Sequence, residues 1–219
     1  MKGILEFISA AHGRLVGRQR NAVLAAHISE MLPVECRSLL DVGCGDGMVT
    51  WLVGQRYENM KIEGVDLLIR PKTMIPVTPF NGEGLPHNDR SFDVVSFIDV
   101  LHHTKDPNVM LREGRRVARL GILIKDHVCL GRMSQFILTF MDWVGNRPHG
   151  VSLLYNYWSQ GQWGSAWRRL GLEISEKKTA LGLYPPWASP IFDRRFHFMA
   201  FLSSAQHENN STEPFTCPQ

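Results

Sequence analysis

A glycine-rich turn between an apolar run and a helical segment constrains the fold of this chain more than any other feature. Residues 38–42 (SLLDV) are typical of a short buried strand, and glycines follow at positions 43, 45 and 47 before an apolar helical run over residues 47–53. Because glycine lacks Cβ, the backbone here can pass directly beneath a ligand, and free N–H groups at a helix start favour an anionic group. A plain tight turn is the alternative. The pattern predicts an α/β fold with a ligand site at its first loop.

Predicted strands and helices alternate along the chain, which indicates a mostly parallel sheet with right-handed crossovers. We expect one doubly wound, Rossmann-like α/β domain with seven strands and a closing antiparallel hairpin. The predicted strands are residues 38–43, 61–66, 73–78, 92–99, 121–126, 172–178 and 195–202, and the predicted helices are 3–32, 47–53, 106–119 and 158–170. Pro76 restricts the third strand to a sheet edge or a bulge, because proline has no N–H to donate.

The length of 219 residues fits a single domain, which we place at residues 1–202 with a polar tail over 203–219. Residues 1–32 form an N-terminal helical segment, which Gly13 and Gly17 could divide into two helices. Residues 127–157 interrupt the strand–helix alternation and contain a predicted helix over 133–144. An insertion of this length after the fifth strand is well positioned to cover a site.

Composition excludes several classes of protein. Hydrophobic residues make up 44% and charged residues 21%, as in a folded globular chain, and the formal net charge of +3 is too small to argue for a polyanionic partner. No apolar run approaches the ~20 residues of a membrane-spanning helix. The N-terminus shows no secretory signal, and the four cysteines form no C-x-x-C pair, so we expect free thiols and a cytoplasmic location.

A carboxylate ends the second predicted strand. Asp66 follows Gly47 by 19 residues, a position where doubly wound folds bind ribose hydroxyls. The glycine spacing is G-x-G-x-G, one residue shorter than the dinucleotide fingerprint, which disfavours NAD. Together with the FDVV run over residues 92–95, these motifs resemble the class I S-adenosylmethionine-dependent methyltransferases. The resemblance covers residues 38–126 and implies S-adenosylmethionine as cofactor and methyl transfer as activity.

The resemblance also implies roles for individual residues around the cofactor. Its methionine part is bordered by Asp41, Gly43, Cys44, Gly45 and Gly47. Asp66 binds the ribose, and Leu67 lies against the adenine. Asn81 and Gly82 stand near the adenine amino group, whose hydrogen bond the Asn81 carbonyl could accept, and Asp99 faces cofactor and substrate. The VLHH run over residues 100–103 resembles the subgroup that acts on small molecules and on lipid or quinone precursors.

Four residues are candidates for the base that takes a proton from a hydroxyl acceptor: His102, His103, Asp126 and His127. Each follows the carboxyl end of a predicted strand, where sites form in such sheets. The alternatives are packing of His102 beside the cofactor, a solvated helix start for His103, and a structural ion pair in the 125–127 run. The spacing of the histidines gives no metal-ligand set, so we assign no metal ligand.

The class of acceptor is predicted from the aromatic composition of the insertion and from the small net charge, which gives little support for nucleic-acid binding. The insertion and its end are rich in aromatic and apolar side chains, which suggests an apolar or aromatic acceptor pocket or else a covering core; they are Phe136, Phe140, Met141, Trp143, Tyr155, Tyr157 and Trp158. Arginines 112, 115, 116 and 119 share one predicted helix face, which could contact phosphate or anionic lipid but is more typical of a solvated surface.

The first functional hypothesis is therefore methyl transfer to a small-molecule or lipid-like acceptor, at oxygen. The second is an RNA or protein methyltransferase of the same fold, and the third is a non-catalytic, cofactor-binding partner subunit. A Pro-Pro-aromatic run at 184–187 lies between the last two strands, not after the fourth strand, which argues against an amino-methyltransferase of nucleic-acid bases. The oligomeric state is left open.

Overall fold

A computed structural model describes residues 2–146, 154–184 and 196–204. The predicted tail beyond Ser204 and residues 185–187 of the Pro-Pro segment lie outside the described residues, as does part of the insertion. In the ranges described, no helix combines the length and hydropathy that a membrane crossing requires.

Seven strands form one sheet in the order β3-β2-β1-β4-β5-β7-β6. All neighbours are parallel except at β7, which is antiparallel to both β5 and β6. This arrangement confirms the predicted α/β fold with its mostly parallel sheet and closing hairpin. The strands are β1 (Ser38–Val42), β2 (Lys61–Asp66), β3 (Val77–Pro79), β4 (Phe92–Ile98), β5 (Ala118–His127), β6 (Leu172–Lys178) and β7 (His197–Ser204).

Helices flank the sheet on both sides. They are α1 (Lys2–Met31), α2 (Met48–Gly54), α3 (Pro107–Val117), α4 (Arg132–Asn146) and α5 (Gln160–Arg169), with a short 3₁₀ helix at Leu101–His103. The start of α3 is set by Asp106, whose side chain accepts a hydrogen bond from the Asn108 N–H at 2.9 Å, and by Pro107 at the first helical position. A capping box between Ser159 and Gln162 begins α5.

Two apolar cores lie on opposite faces of the sheet. One contains α3 and α5 residues such as Leu111 and Trp163, and the other contains α1 residues such as Leu24 and Ile28. Both cores bury β4, whose sequence FDVVSFI is nearly continuously apolar, as expected for a central parallel strand covered on both faces. The sheet therefore leaves its strand ends, not its faces, to form a site.

Several predicted boundaries were wrong. The glycines at 13 and 17 do not divide α1, which is one continuous helix. The third strand covers only residues 77–79, at the sheet edge, because Pro76 has no N–H, although its carbonyl accepts a hydrogen bond from the Gly64 N–H at 2.8 Å. The last strand extends two residues into the predicted tail, to Ser204.

The predicted arginine face is also shorter than expected. The chain turns extended at Ala118, so Arg119 lies on β5 and not on α3. Arg119 pairs with Asp93 at 2.7 Å, and Arg116 pairs with Glu113 and Asp89, each at 2.7 Å. Two of the four arginines therefore hold the fold together.

Candidate functional site

A cavity of about 1130 Å³ opens at the carboxyl ends of β1, β2 and β4. Its size exceeds that of a typical pocket for one drug-sized ligand, roughly 300–1,000 Å³. Most of the residues that the sequence analysis assigned to the cofactor line its wall: Gly43, Cys44, Gly45, Asp66, Leu67, Asn81, Gly82 and Asp99. The loops after four separate strands thus converge on one space, as expected at the topological switch point of a doubly wound sheet.

The glycine loop leaves room for a ligand at one position and packs tightly at another. Gly43 and Gly45 have φ angles of 71° and 61°. A Cβ on Gly43 would lie 2.2 Å from Val100 Cγ2, whereas at Gly45 no atom of the described residues comes within 4 Å. Gly43 therefore satisfies the packing of the loop, while the missing side chain of Gly45 leaves open space beside a cavity wall.

Asp66 fixes the glycine loop and faces the same cavity. Its Oδ2 accepts a hydrogen bond from the Gly45 N–H at 2.7 Å, and its Oδ1 accepts one from the Leu68 N–H at 2.9 Å. Each carboxylate oxygen retains a further lone pair, since an ionised carboxylate can accept about four hydrogen bonds. The side chain can accept hydrogen bonds from vicinal hydroxyls while it holds the loop.

Asp41 and Gly47 lie behind the cavity wall and do not line it. Asp41 accepts hydrogen bonds from the Thr50 hydroxyl and, at 2.9 Å, from the Ser96 hydroxyl. Burial raises the pKa of the Asp41 carboxyl to about 6. A Cβ on Gly47 would lie 2.4 Å from Ile75 Cγ1. These contacts support the loop from below, and the expected place of both residues at the border of the methionine part of the cofactor stays a prediction.

The adenine end of the expected site contains an unexpected hydrogen bond. The Asn81 carbonyl oxygen accepts hydrogen bonds from the Glu83 N–H at 3.0 Å and from the Gly84 N–H at 3.4 Å. The oxygen expected to accept from the adenine is thus already used within its own loop. Leu67, expected against the adenine, is 66% exposed at the cavity wall, so its apolar side chain is available for contact.

His102 and Asp126 form a buried pair next to the cavity. The His102 Nδ1 lies 2.6 Å from Asp126 Oδ1, and Asp126 also accepts hydrogen bonds from the backbone N–H groups of Leu101 (3.1 Å) and His127 (2.7 Å). Burial alone would raise the pKa of Asp126, but the contacts with His102 and His127 outweigh it and hold that pKa below its ordinary value. When Asp126 accepts the Nδ1 proton, Nε2 is the ring nitrogen of His102 that is left to take up or release a proton.

The four predicted catalytic candidates differ in their access to the cavity. His103 lines it, whereas His102, Asp126 and His127 lie behind its wall. The His102 ring contacts His103 and Tyr157, with centroid separations of 4.0 and 5.4 Å. The structure therefore brings the candidates together but covers three of them.

Asp99 is held by two cations that the glycine and strand motifs do not reveal. Its carboxylate is paired with Lys125 from β5 and with Arg20 from α1. Burial would raise the pKa of Asp99, but Lys125 and Arg20 outweigh it and hold that pKa well below its usual value. Asp99 is therefore an anion with its charge already matched, and it cannot act as a base near neutral pH.

His197 and His127 lie next to the Asp99, Lys125 and Arg20 group and extend it into a larger polar cluster. His197 on β7 places its Nδ1 3.3 Å from Lys125 Nζ, and its ring lies 4.7 Å from that of His127. Burial lowers the pKa of His127, and burial together with Lys125 lowers that of His197 well below its usual value, so both are neutral near pH 7. Sequence analysis missed Arg20 and His197, which are 79 and 72 residues from their partners and belong to no local motif.

The aromatic residues of the insertion divide between two environments. Tyr157 stacks against the site, and Trp158 is buried against Trp163 of α5, with ring centroids 4.9 Å apart. Phe136 and Phe140 of α4 are instead 71% and 52% exposed. The structure therefore supports a covering core for part of the insertion and leaves an apolar face of α4 exposed.

Potential metal-ligand atoms of His102, Asp126 and His127 lie within 4.8 Å of one another, a convergence that the sequence spacing did not predict. Two histidines and one carboxylate can bind several divalent metals. Here, however, Asp126 Oδ1 already accepts two hydrogen bonds, from His102 Nδ1 and the His127 N–H. The Lys125 ammonium also lies close by, paired with Asp99. A cation at this position would have to displace those hydrogen bonds.

Curated relatives match part of the chain. It is 26% identical over 104 residues to (S)-coclaurine N-methyltransferase from Thalictrum flavum subsp. glaucum. This alignment covers 42% of this chain and 29% of the relative. It is 25% identical over 126 residues to tRNA U34 carboxymethyltransferase from Saccharophagus degradans, covering 51% and 38%. The matches thus span about a third of the length of these relatives.

Solved structures share the fold across most of the chain. The partner of the Trm112 methyltransferase activator in a Haloferax volcanii complex superposes with a TM-score of 0.60 at 19% identity, covering 90% of this chain and 96% of the other. An S-adenosylmethionine-dependent methyltransferase from Mesorhizobium loti gives a TM-score of 0.57 at 18% identity, with coverages of 80% and 94%. A family profile described as a methyltransferase domain matches residues 16–177, well over half of the sequence. With its glycine loop, cavity-lining carboxylate and strand order, the chain belongs to the S-adenosylmethionine-dependent methyltransferase family.

Proposed function

We propose that this chain methylates an oxygen atom of a small-molecule or lipid-like acceptor, with His102 as general base. The observation that carries the proposal is the buried 2.6 Å hydrogen bond between His102 Nδ1 and Asp126 Oδ1. An ionised carboxylate fixes the ring tautomer and stabilises the imidazolium that forms when Nε2 takes a proton. Such a pair is useful for a hydroxyl acceptor, which must lose a proton, and less so for an amine with a free lone pair.

The cofactor, when bound, supplies a methyl group already activated by its sulfonium. The work of the protein is to align the acceptor, exclude water and take one proton. In the proposed reaction His102 Nε2 would take the proton of the acceptor hydroxyl as the acceptor oxygen receives the methyl group that the bound cofactor would supply, with the cofactor leaving as its thioether. Because His103 and Tyr157 cover the His102 ring, the acceptor must displace one of these side chains to reach it.

The remaining cofactor residues have separate proposed roles. Asp66 accepts hydrogen bonds from the ribose, and Gly45 allows the backbone to approach the cofactor, in agreement with the open space beside it. Asp99, with its charge matched by Lys125 and Arg20, orients polar groups at the boundary between cofactor and acceptor. We assign residues 1–202 to one methyltransferase domain and residues 127–157 to a cover over the acceptor.

The experiment supplies the protein with cofactor carrying a labelled methyl group and with host-cell extract, then separates extractable metabolites from macromolecules. We expect label in the extractable fraction, and less of it with Asp66→Ala at a labelled-cofactor concentration below saturation. Replacing the base in His102→Gln should lower turnover by roughly 10²–10⁴-fold while S-adenosylhomocysteine affinity stays the same. The matched control is His87→Gln, whose ring packs on Phe92 away from the cavity. Full turnover by His102→Gln would remove it as the base.

A second candidate is methylation of RNA, favoured by the similarity to a tRNA-modifying enzyme over 126 residues. Nucleic-acid binding depends on cations that face phosphate. Arg116 and Arg119 are already paired with carboxylates, which leaves Arg112 and Arg115 exposed on α3. Label in the RNA fraction, lost in Arg112→Ala/Arg115→Ala, would support this candidate over the first.

A further inference from the structure

Helix α4 exposes an apolar face. Met133, Phe136 and Phe140 are 74%, 71% and 52% exposed, and Leu130 just before the helix is 59% exposed. The spacing of 133, 136 and 140 puts these side chains on one side of the helix. The other side faces inward, where Leu138 is almost fully buried. An exposed apolar face of this kind marks an interaction surface more often than a random scatter of apolar residues does.

A second apolar segment lies at the same edge of the sheet. Leu67, Leu68 and Ile69 directly follow β2 and are 66%, 50% and 42% exposed. Because β2 and β5 run parallel within the sheet, the segment after β2 and the segment leading into α4 both emerge at the carboxyl edge. The cavity opens at this edge as well, and Leu67 and Leu68 line it.

Basic side chains accompany both apolar segments. Arg70 and Lys72 follow the first segment and line the cavity, and Arg132 begins α4 at an exposed position. The edge is not uniformly positive, because the acidic residues Asp46, Glu83 and Asp106 line the cavity too. Apolar contact should therefore supply most of the affinity of this surface, with the cations favouring an anionic partner.

We propose that the carboxyl edge, meaning residues 67–72 together with residues 130–140, docks on the surface of an anionic lipid bilayer. The inference rests on the proposed function for the class of acceptor: a lipid-like molecule would enter the cavity from the bilayer without crossing water. A second copy of the chain seated on the same surface would close the cavity mouth to the acceptor, whereas a bilayer seated there would supply a lipid-like acceptor, and this favours a lipid surface over a homodimer. The helix lies on the bilayer and does not span it.

The test is co-sedimentation with vesicles of phosphatidylcholine alone and of phosphatidylcholine mixed with phosphatidylglycerol. We expect the protein to bind the mixed vesicles more tightly. Met133→Ser/Phe136→Ser should weaken that binding by at least about tenfold, the loss expected when two apolar side chains no longer leave water. Val34→Ser is the matched control, because Val34 is 89% exposed but precedes β1 at the opposite edge of the sheet.

Affinity for S-adenosylhomocysteine, measured on the same variants, should be unchanged, which separates docking from folding and from the cofactor site. Wild-type protein that sediments with neither type of vesicle would overturn the proposal. So would a dimer, seen by sedimentation velocity without lipid, that Met133→Ser/Phe136→Ser converts to a monomer. If the vesicles bind but methyl label enters RNA, the docking surface stands and the proposed acceptor does not.

Discussion

Asp66 both braces the glycine loop and faces the cavity, so its substitutions should separate these two tasks. Asp66→Ala removes both oxygens, and we expect the free energy of S-adenosylhomocysteine binding to weaken by roughly 1–3 kcal/mol, the range for hydrogen bonds to a charged group. Asp66→Asn keeps one acceptor oxygen, so it should weaken S-adenosylhomocysteine binding less than Asp66→Ala does. Isothermal titration calorimetry measures both.

The matched control for Asp66 is Glu83→Ala, which removes an exposed carboxylate from the same cavity wall. It should change the affinity little. If Glu83→Ala and Asp66→Ala weakened S-adenosylhomocysteine binding equally, affinity would depend on the overall charge of the cavity and not on a carboxylate at position 66.

Gly45 and Gly182 allow backbone strain to be distinguished from ligand contact. Their φ angles are 61° and 59°, and at both positions no described atom lies within 4 Å of an added Cβ. Alanine at either should reduce the free energy of unfolding by about 1–2 kcal/mol, because left-handed conformations are unfavourable for residues with Cβ. Only Gly45→Ala should also weaken S-adenosylhomocysteine binding, and Gly45→Val should abolish it, as titration calorimetry would measure. Normal binding by Gly45→Val would contradict the close approach of the cofactor.

Strands β5 and β7 bury two histidines whose pKa values are lowered, and stability should depend on pH as a result. Below pH 6.5 the unfolded chain protonates His127 and His197 while the folded chain does not, so stability falls as pH falls. Asp41, with its pKa raised to about 6, acts in the opposite direction over the same range. The two effects partly cancel, so stability should fall with falling pH less steeply than the two histidines alone would cause.

Urea unfolding between pH 5.5 and 7.5 measures that slope. The variant His197→Asn removes one of the two buried imidazoles and should make stability depend less steeply on pH, most clearly at the acidic end of this range. An unchanged slope in this variant would show that His197 is already protonated in the folded protein or is accessible to water.

Local patterns predicted the elements well, because each depends on residues close in sequence. The apolar run of β4 and the Asp106-Pro107 start of α3 are such signals. No local sequence pattern predicted the cluster around Asp99. Arg20 on α1 and His197 on β7 reach it only once the order of the strands is fixed. Likewise, the sequence identified Asp41 as a site residue but could not reveal that its carboxylate points to Thr50 and Ser96.

At the scale of the whole molecule, the strand order divides the site into two parts. The loops after β1, β2 and β3 supply one wall of the cavity, whereas the histidines and the lysine come from β5, β7 and the 3₁₀ helix. Asp99, at the end of β4, touches both parts: it lines the cavity and pairs with Lys125. The acid–base cluster is therefore built mainly from one half of the sheet.

Because the cavity wall and the acid–base cluster come from different parts of the sheet, the residues of one part could change in evolution without changes in the other. A lineage could replace residues 127–157 and the facing side chains of β7, and so change what is methylated, while the loops proposed to bind the cofactor stay the same. Asp99 is a position where such an exchange would be felt on both sides, since a new neighbour for Lys125 would also alter the cavity wall, and His103, which lines the cavity and contacts His102, is another. In this chain, a change of acceptor would therefore affect the cofactor side of the cavity through side chains at this boundary, with Asp99 and His103 among those that the structure describes.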